Sequence, residues 1–389
     1  MSRMTDFTVP STVPGRTLHA FCCEPEGEVR AVLQLSHGMV EFIDRYKPLA
    51  EYLAGQGIVV VGHDHLGHGG SIRTKADYGY FAEPDGNRAV LDDLHAMTLR
   101  TKERYPGVPY FLLGHSMGSF YARQYLCEYG QELSGAIIMG TGHQPKALVQ
   151  FARSTCRALA AVHGWQYRSK LVANLSFMGY NKGLEGRTTH DWLNRDAAEV
   201  DKYLADERCT FTFTLNAYYS MFSGILRLHD PAFLARMPKD LPLLFLAGTA
   251  DPVGDRGKGV LRAIQSLKDA GVQNIRCKLP RCPARTAGGD QPAGSVCRHC
   301  RLAERSAALT TLHRTFFAFF KAAARHTGQR LFCVLQQEIS MRIKTFQQCN
   351  NSVPLSAFCV KSCCIFLHFA NYPRIFVNLL TVQPENSIS

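Results

Sequence analysis

The stretch VPYFLLGHSMGSFYARQY (Val108–Tyr125) changes character in its middle. From Val108 to Leu113 it is a near-continuous apolar run, the pattern of a strand buried on both faces. From Met117 the spacing predicts a helix to about residue 130. Between them lies GHSMG (Gly114–Gly118), which has the form G-x-S-x-G. A serine on a sharp turn between strand and helix is held above the sheet edge. The helix N-terminus beneath it favours developing negative charge. The flanking glycines are expected because neighbouring backbone comes close. Ser116 is therefore the candidate nucleophile, against the plainer reading of a turn serine.

The same alternation extends outward. Residues 16–36 contain two short strands, ending in AVLQLS. A helix follows at about 45–55, then the strand GIVVVGHD, then a long helix from Asp85 to Tyr105. Beyond the serine come GAIIMGTG, LPLLFLAGTADP, a helix at about 257–270 and NIRCKL. Buried strands separated by helices imply an α/β architecture, a mostly parallel sheet covered on both faces. The alternation is interrupted over about 145–238. That segment is helical and rich in aromatics such as Phe151, Trp165, Phe177, Trp192, Phe211 and Phe222. It predicts a cap inserted between two strands, packing on the sheet while leaving a pocket.

The other chemical groups follow from the strand ends. SHGMVEFIDRY, after AVLQL, supplies the second half of an oxyanion hole, with the backbone N–H groups of Met39 and Met117 directed at one oxyanion. AGTADPVGD ends a strand on Asp251, which follows the serine in chain order and would orient a histidine base. Asp255, further into that loop, is a weaker candidate. GHDHLGHGGS carries His63, His65 and His68, but the spacing is not H-E-x-x-H and no Cys or Glu completes a shell. CRHC (Cys297–Cys300) lacks a second pair at a usual interval. Neither metal nor cofactor is expected.

Charge and cysteine are unevenly distributed. The chain of 389 residues has a net charge of +12. Residues 280–389 hold 13 Lys+Arg against 4 Asp+Glu, leaving 31 against 28 before them. The first part is thus near neutral, which argues against a nucleic-acid partner. Eight of the 14 cysteines also lie after 280. The earlier six are scattered, and MSRMTDFTVP lacks the apolar core of a secretory signal, so reduced thiols and a cytoplasmic location are expected. No apolar run is long enough for a transmembrane helix.

With HGMVEFIDRY, LAEYLAGQGIVVVGHDHLGHGGS, LLGHSMGSFYARQY and LPLLFLAGTADPVG in that order, the chain resembles the α/β-hydrolase superfamily. It is most similar to the monoacylglycerol lipase and lysophospholipase-like branch, also called the serine aminopeptidase-like group. The resemblance covers about 30–279. It implies an α/β-hydrolase domain over about 16–280 that hydrolyses a small lipid-like ester through an acyl-enzyme. It is also compatible with peripheral contact between the cap and a membrane surface. The alternatives are an aminopeptidase-like hydrolase, which wants a cap carboxylate for the substrate ammonium, and a binding module with a broken triad. Phe42 departs from the family, which often has histidine after the glutamate.

The resemblance also implies a loop histidine after NIRCKL, followed by an acidic residue and a final helix. No histidine stands there. Cys282–Thr286 can be written TGC CCG GCA CGA ACT, and one base later this reads Ala-Arg-His-Glu. Continuing the shift through Ala303 with suitable synonymous codons yields ARHELLEETNRQAASADIAGWL, a family-like loop and helix. The residues from about Pro280 onward therefore read as out of frame, with the missing histidine codon split across Ala284 and Arg285. Residues 281–389 form an atypical tail without steady apolar period, expected to be poorly ordered. A genuine extra domain is the rival reading. His299 and His313 lie off the expected loop, so the chain as written is expected to be a poor hydrolase.

Overall fold

A computed structural model describes residues 2–279, apart from residues 185 and 195. Eight strands form one sheet: β1 (Arg3–Pro10), β2 (Thr17–Glu24), β3 (Ala31–Ser36), β4 (Ile58–His63), β5 (Tyr110–His115), β6 (Gly135–Met139), β7 (Leu243–Leu246) and β8 (Ile275–Lys278). Their spatial order is β1-β2-β4-β3-β5-β6-β7-β8. β1 and β2 pair antiparallel, as do β2 and β4; all other pairings are parallel. The sheet thus begins at Arg3, earlier than the boundary near 16 read from the sequence. β1 has an almost wholly solvent-facing pattern, so no buried run announces it.

Alternation along the strands sends side chains to two opposite cores. Leu33 and Leu35 of β3, Phe111 and Leu113 of β5 and Ile137 of β6 pack with Ala50, Leu53 and Ala54 of α1 (Lys47–Ala54). Val32, Leu112 and Ile138 point the other way. They join Leu91 and Leu94 of α2 (Gly86–Arg104) and Tyr121 and Tyr125 of α3 (Met117–Tyr129). Asp85 caps α2 by accepting the Arg88 N–H at 3.0 Å, satisfying one of the donors a helix start leaves open.

Between β6 and β7 lie α4 (Lys146–His163), α5 (Lys170–Ser176), α6 (Ala197–Ala205), α7 (Leu215–Arg227) and α8 (Pro231–Leu234). This is the helical insertion expected over about 145–238. It is tied to the 78–82 loop by polar contacts: Thr214 Oγ1 donates to the Gly79 carbonyl at 2.6 Å and Asn216 Nδ2 to that of Ala82 at 2.9 Å. α9 (Lys258–Asp269) joins β7 to β8. Among the described residues no helix is long and apolar enough to cross a membrane.

The strand order fixes where a ligand can sit. The chain lays β4 on one side of β3, then returns to lay β5 on the other. Connections leaving the carboxyl ends of β3 and β5 therefore diverge, and a crevice opens between them. The residues after those two ends are His37–Phe42 and Ser116.

Candidate active site

Ser116 stands between β5 and α3 with φ 51° and ψ −116°, a backbone conformation uncommon for any residue but glycine. Hydrogen bonds over-determine it. Its N–H donates to the Met139 carbonyl at 2.9 Å, and its carbonyl accepts from the Ser119 N–H at 2.9 Å and the Ser119 hydroxyl at 2.5 Å. Both glycines of GHSMG are required by close approach. A Cβ on Gly118 would lie 2.1 Å from the Ser36 carbonyl oxygen, and one on Gly114 would lie 2.3 Å from that of Gly118.

The loop after β3 runs alongside. A Cβ on Gly38 would lie 3.2 Å from the Cβ of Ser116. Accounting for this loop's N–H groups separates them. That of Gly38 donates to Glu41 Oε1 at 2.5 Å, and that of Val40 donates to His68 Nε2 at 3.3 Å. The Met39 N–H has no partner among the described residues, nor has that of Met117, the first residue of α3. Both methionines line the same cavity as Ser116.

The histidines of HGMVEF and GHDHLGHGGS lie beneath this loop. His37, His63, His65 and His68 are buried, and the His37 ring lies 4.3 Å from that of His65 and 5.1 Å from that of His68. Burial pushes His63 and His68 down to about 3 and His65 well below the ordinary imidazole range. Neutral rings can accept, and they do. His37 donates through Nδ1 to the Gly38 carbonyl at 2.8 Å and accepts the His65 N–H at Nε2, 2.9 Å away. His68 donates through Nδ1 to the Leu66 carbonyl at 3.1 Å, which leaves Nε2 to hold Val40. The cluster with metal-ligand spacing among the described residues lies elsewhere, at Asp6, His19 and Asp44. There Lys47 Nζ contacts Asp6 at 2.7 Å and Asp44 at 3.1 Å, already supplying the cation.

Glu41 ties the loop to the G-x-S-x-G turn. Its Oε1 accepts from the Gly38 N–H, from the Tyr46 hydroxyl at 2.9 Å and from His115 Nδ1 at 2.9 Å, while Arg45 reaches Oε2 at 3.1 Å. Burial alone would raise the pKa of this carboxyl, but His115 and Arg45 beside it hold it well below the usual carboxylate range. For His115, burial disfavours the charge and the Glu41 carboxylate favours it; the carboxylate wins and the pKa is raised.

Asp251 lies in the loop after β7, half-buried on the cavity wall, with Oδ1 accepting the Val253 N–H at 2.9 Å. Burial raises its pKa against that bond and the nearby His115. Asp255 faces solvent and pairs with Arg262 at 3.0 Å. It does not line the cavity. Among the described residues the imidazoles lining the cavity are His115 and His190. The position expected for a base, Ala284–Arg285, lies outside the described residues, as do His299, His313 and Cys297–Cys300.

The cavity holds about 1470 Å³, with Phe120, Val149, Phe213, Tyr218, Met221 and Ile225 among its apolar walls. Sequence reasoning brought Ser116, Met39, Met117 and Asp251 to it. It missed Glu41, His115 and Tyr203. The first two sit inside the motifs already quoted, but Tyr203 lies in α6 with no local signal.

A strained G-x-S-x-G turn at the switch point of a mostly parallel sheet, under a helical insertion, defines an α/β-hydrolase. The sequence profile of one family in that class, described as "Serine aminopeptidase, S33", matches residues 27–279, and the chain belongs to that family. Relatives include the monoglyceride lipase of Mus musculus, 33% identical over 268 residues (67% of this chain, 78% of the relative). The monoglyceride lipase of Homo sapiens is 29% identical over 274 residues (67% and 79%). Among solved structures, a thermostable carboxyl esterase from Bacillus coagulans in complex with glycerol superposes with a TM-score of 0.68 at 23% identity, covering 80% of this chain and 98% of that one. A soluble variant of the Saccharomyces cerevisiae monoglyceride lipase gives 0.55 at 20% identity, covering 72% and 85%. At these identities the structures speak for the fold. The chain is a hydrolase of the lipase and esterase type.

Proposed function

We propose that the site hydrolyses a carboxylic ester of a lipid-like substrate, a monoacylglycerol or lysophospholipid, through an acyl-enzyme on Ser116. The observation that carries this reading is the pair of open N–H groups, Met39 and Met117, on the same cavity as a strained serine. Ser116 Oγ attacks the ester carbonyl. The base, oriented by Asp251, takes the Ser116 proton, both N–H groups hold the oxyanion, and the ester C–O bond breaks as the leaving alcohol takes that proton. Water, deprotonated by the same base, then attacks the acyl-enzyme, releasing the carboxylic acid and regenerating Ser116. Apolar walls suit an acyl chain. The names of the mouse and human relatives support a glyceride ester as the substrate class.

The aminopeptidase-like alternative needs a carboxylate open to a substrate ammonium. Of the other carboxylates lining the cavity, Glu41 is saturated by four donors, Asp191 holds Thr188 and Arg187, and Glu199 pairs with Lys202 at 2.9 Å. This favours an ester. The sequence carries no histidine where the base is expected. The reading that residues from about Pro280 onward are out of frame accounts for its absence from the expected loop. On that reading the hydrolase domain spans about 16–280 and the chain as written turns over poorly.

The cap also suits a membrane surface. Residues 145–184 contain six Lys or Arg and no Asp or Glu. Leu148, Phe151, Val162, Leu171 and Met178 stand out of α4, α5 and the turn after it, with Met178 74% exposed, beside the exposed Lys146, Arg157 and Lys170. Exposed apolar groups among uncompensated cations match an anionic lipid surface, where a lipid ester would be met.

The test is covalent labelling by a fluorophosphonate probe, followed by hydrolysis of a monoacylglycerol by a version restored to the shifted frame from codon 280. Labelling confined to Ser116, with ester turnover in the restored version, is expected. Unchanged labelling in Ser116→Ala would rule the site out, and the absence of both labelling and turnover in the restored version would leave a binding module.

A further inference from the structure

We propose that Tyr203 is a positioning residue through which the cap sets the oxyanion loop; the proposal rests on the site reading above. The observation is Val40. Its φ is 52°, in the left-handed region, where a β-branched side chain is a marked outlier. Such a conformation is strained and persists only where the surroundings over-determine it. Here they do so from two directions. Beneath, the neutral His68 accepts the Val40 N–H at 3.3 Å. Above, the Tyr203 hydroxyl donates to the Val40 carbonyl at 2.7 Å.

The second bond comes from α6, far away in sequence and part of the cap. Tyr203 is itself fixed. It is buried with Phe42 and Cys209 in a small apolar cluster of its own, and the Arg45 guanidinium lies over its ring, 5.1 Å from the centroid. Arg45 also holds Glu41, which holds Gly38. The loop around Met39 is therefore pinned at the Gly38 N–H by Glu41, at the Val40 N–H by His68 and at the Val40 carbonyl by Tyr203, and the last of these comes from the cap. Turning the Val40 peptide out of its strained conformation would release the constraint that leaves Met39 N–H open. The oxyanion loop is thus complete only when α6 is in place. Cap docking and assembly of the hole become one event, and Tyr203 is the link.

The test uses three variants, made in the full chain for hydrogen exchange and in the frame-restored version, where the base is present, for labelling. Tyr203→Phe keeps the ring and removes the hydroxyl. Its saturating rate of fluorophosphonate labelling at Ser116 is expected to fall about tenfold, part of the roughly 10²–10³ that loss of an oxyanion donor brings. The half-saturating probe concentration should stay unchanged. Val40→Gly added to Tyr203→Phe should restore the rate, because glycine adopts a positive φ without needing the clamp. Hydrogen exchange in the peptide covering residues 38–42 gives a second readout that needs no reaction. It should quicken in Tyr203→Phe and slow again in the double variant. Parent-like labelling and exchange in Tyr203→Phe, or no rescue by glycine, would overturn the proposal. Labelling that survives Ser116→Ala would instead overturn the site reading, and the exchange measurement would still judge the clamp.

Discussion

Gly114 and Gly118 beside Ser116 are packed so tightly that a single added carbon would strike backbone, and the imidazoles at 37, 63, 65 and 68 are buried next to them. The cap helix α4, which lines the same cavity through Val149, leaves Phe151 64% and Val162 78% exposed. The floor is built by over-determination, with each strained residue held by two or three hydrogen bonds and each buried imidazole kept neutral. Within the roof α4 packs on α7, and the roof meets the body through α7 against α2 and α3, the bonds to the 78–82 loop and the Tyr203 bond to Val40. The difference matters chemically. Charge stabilisation needs donors that do not move as the reaction proceeds, whereas admitting a lipid needs an element whose outer face tolerates apolar contact.

The largest expected effect belongs to the floor. Ser116→Ala should remove all probe labelling while leaving the melting temperature near the parent's. The frame-restored version should exceed the chain as written by several orders of magnitude in kcat/KM on a monoacylglycerol, since a complete triad contributes about 10⁶ in kcat over oxyanion stabilisation and binding alone. Equal kcat/KM would show that a base is already in place and remove the frame argument.

Next in size is a packing effect. Gly118→Ala should destabilise the domain by about 3 kcal/mol, read from urea unfolding, because the new Cβ meets the Ser36 and His37 carbonyls rather than a side chain that can swing away. Phe151→Ser should change stability by less than about 0.5 kcal/mol, as expected for an exposed position. If the two substitutions cost the same, the contrast between floor and roof is wrong.

The cap should declare itself on membranes. Sedimentation with vesicles containing anionic phospholipid should recover the protein, and vesicles of zwitterionic lipid alone should recover much less. Each cation near an anionic surface contributes about 1 kcal/mol, lost with added salt. Phe151→Ser with Met178→Ser should weaken binding roughly tenfold, following the apolar area removed. Binding indifferent to these changes and to salt would dismiss the cap as the docking face.

The last effect is a slope. The folded pKa of His63 is depressed to about 3 by burial, and neither ring nitrogen has a partner among the described residues. Its neutral form is compatible with the fold above the unfolded value near 6.5. Stability should therefore be lost as pH falls from about 6.5 towards 3, by about 1.4 kcal/mol per pH unit for this one proton. His63→Leu should reduce that slope by one proton, without loss at neutral pH. An unchanged acid limb in urea titrations would show that the ring finds a partner once protonated.

The residues legible in sequence were those whose function imposes a local conformation. GHSMG announces itself because the turn it makes needs glycines at both flanks, and Asp251 because it follows a buried strand. Tyr203 gave no signal, since its partner is a carbonyl more than a hundred residues away. Val40 gave none either, because a β-branched residue is the last choice for a positive φ. β1 was missed for a different reason: an edge strand with little to bury lacks the apolar run that marks strands inside a sheet.

By itself, then, the sequence determined the order of strands and helices after β1, the G-x-S-x-G turn and the place of the insertion. These follow from periodicity and from the few residues that tolerate sharp turns, both local properties. Only the tertiary structure decided which N–H groups stay open, which imidazoles stay neutral, and that a cap tyrosine reaches the loop beside the serine. Those depend on burial and on hydrogen-bond partners brought together across the chain, and neither is written in any one stretch of it.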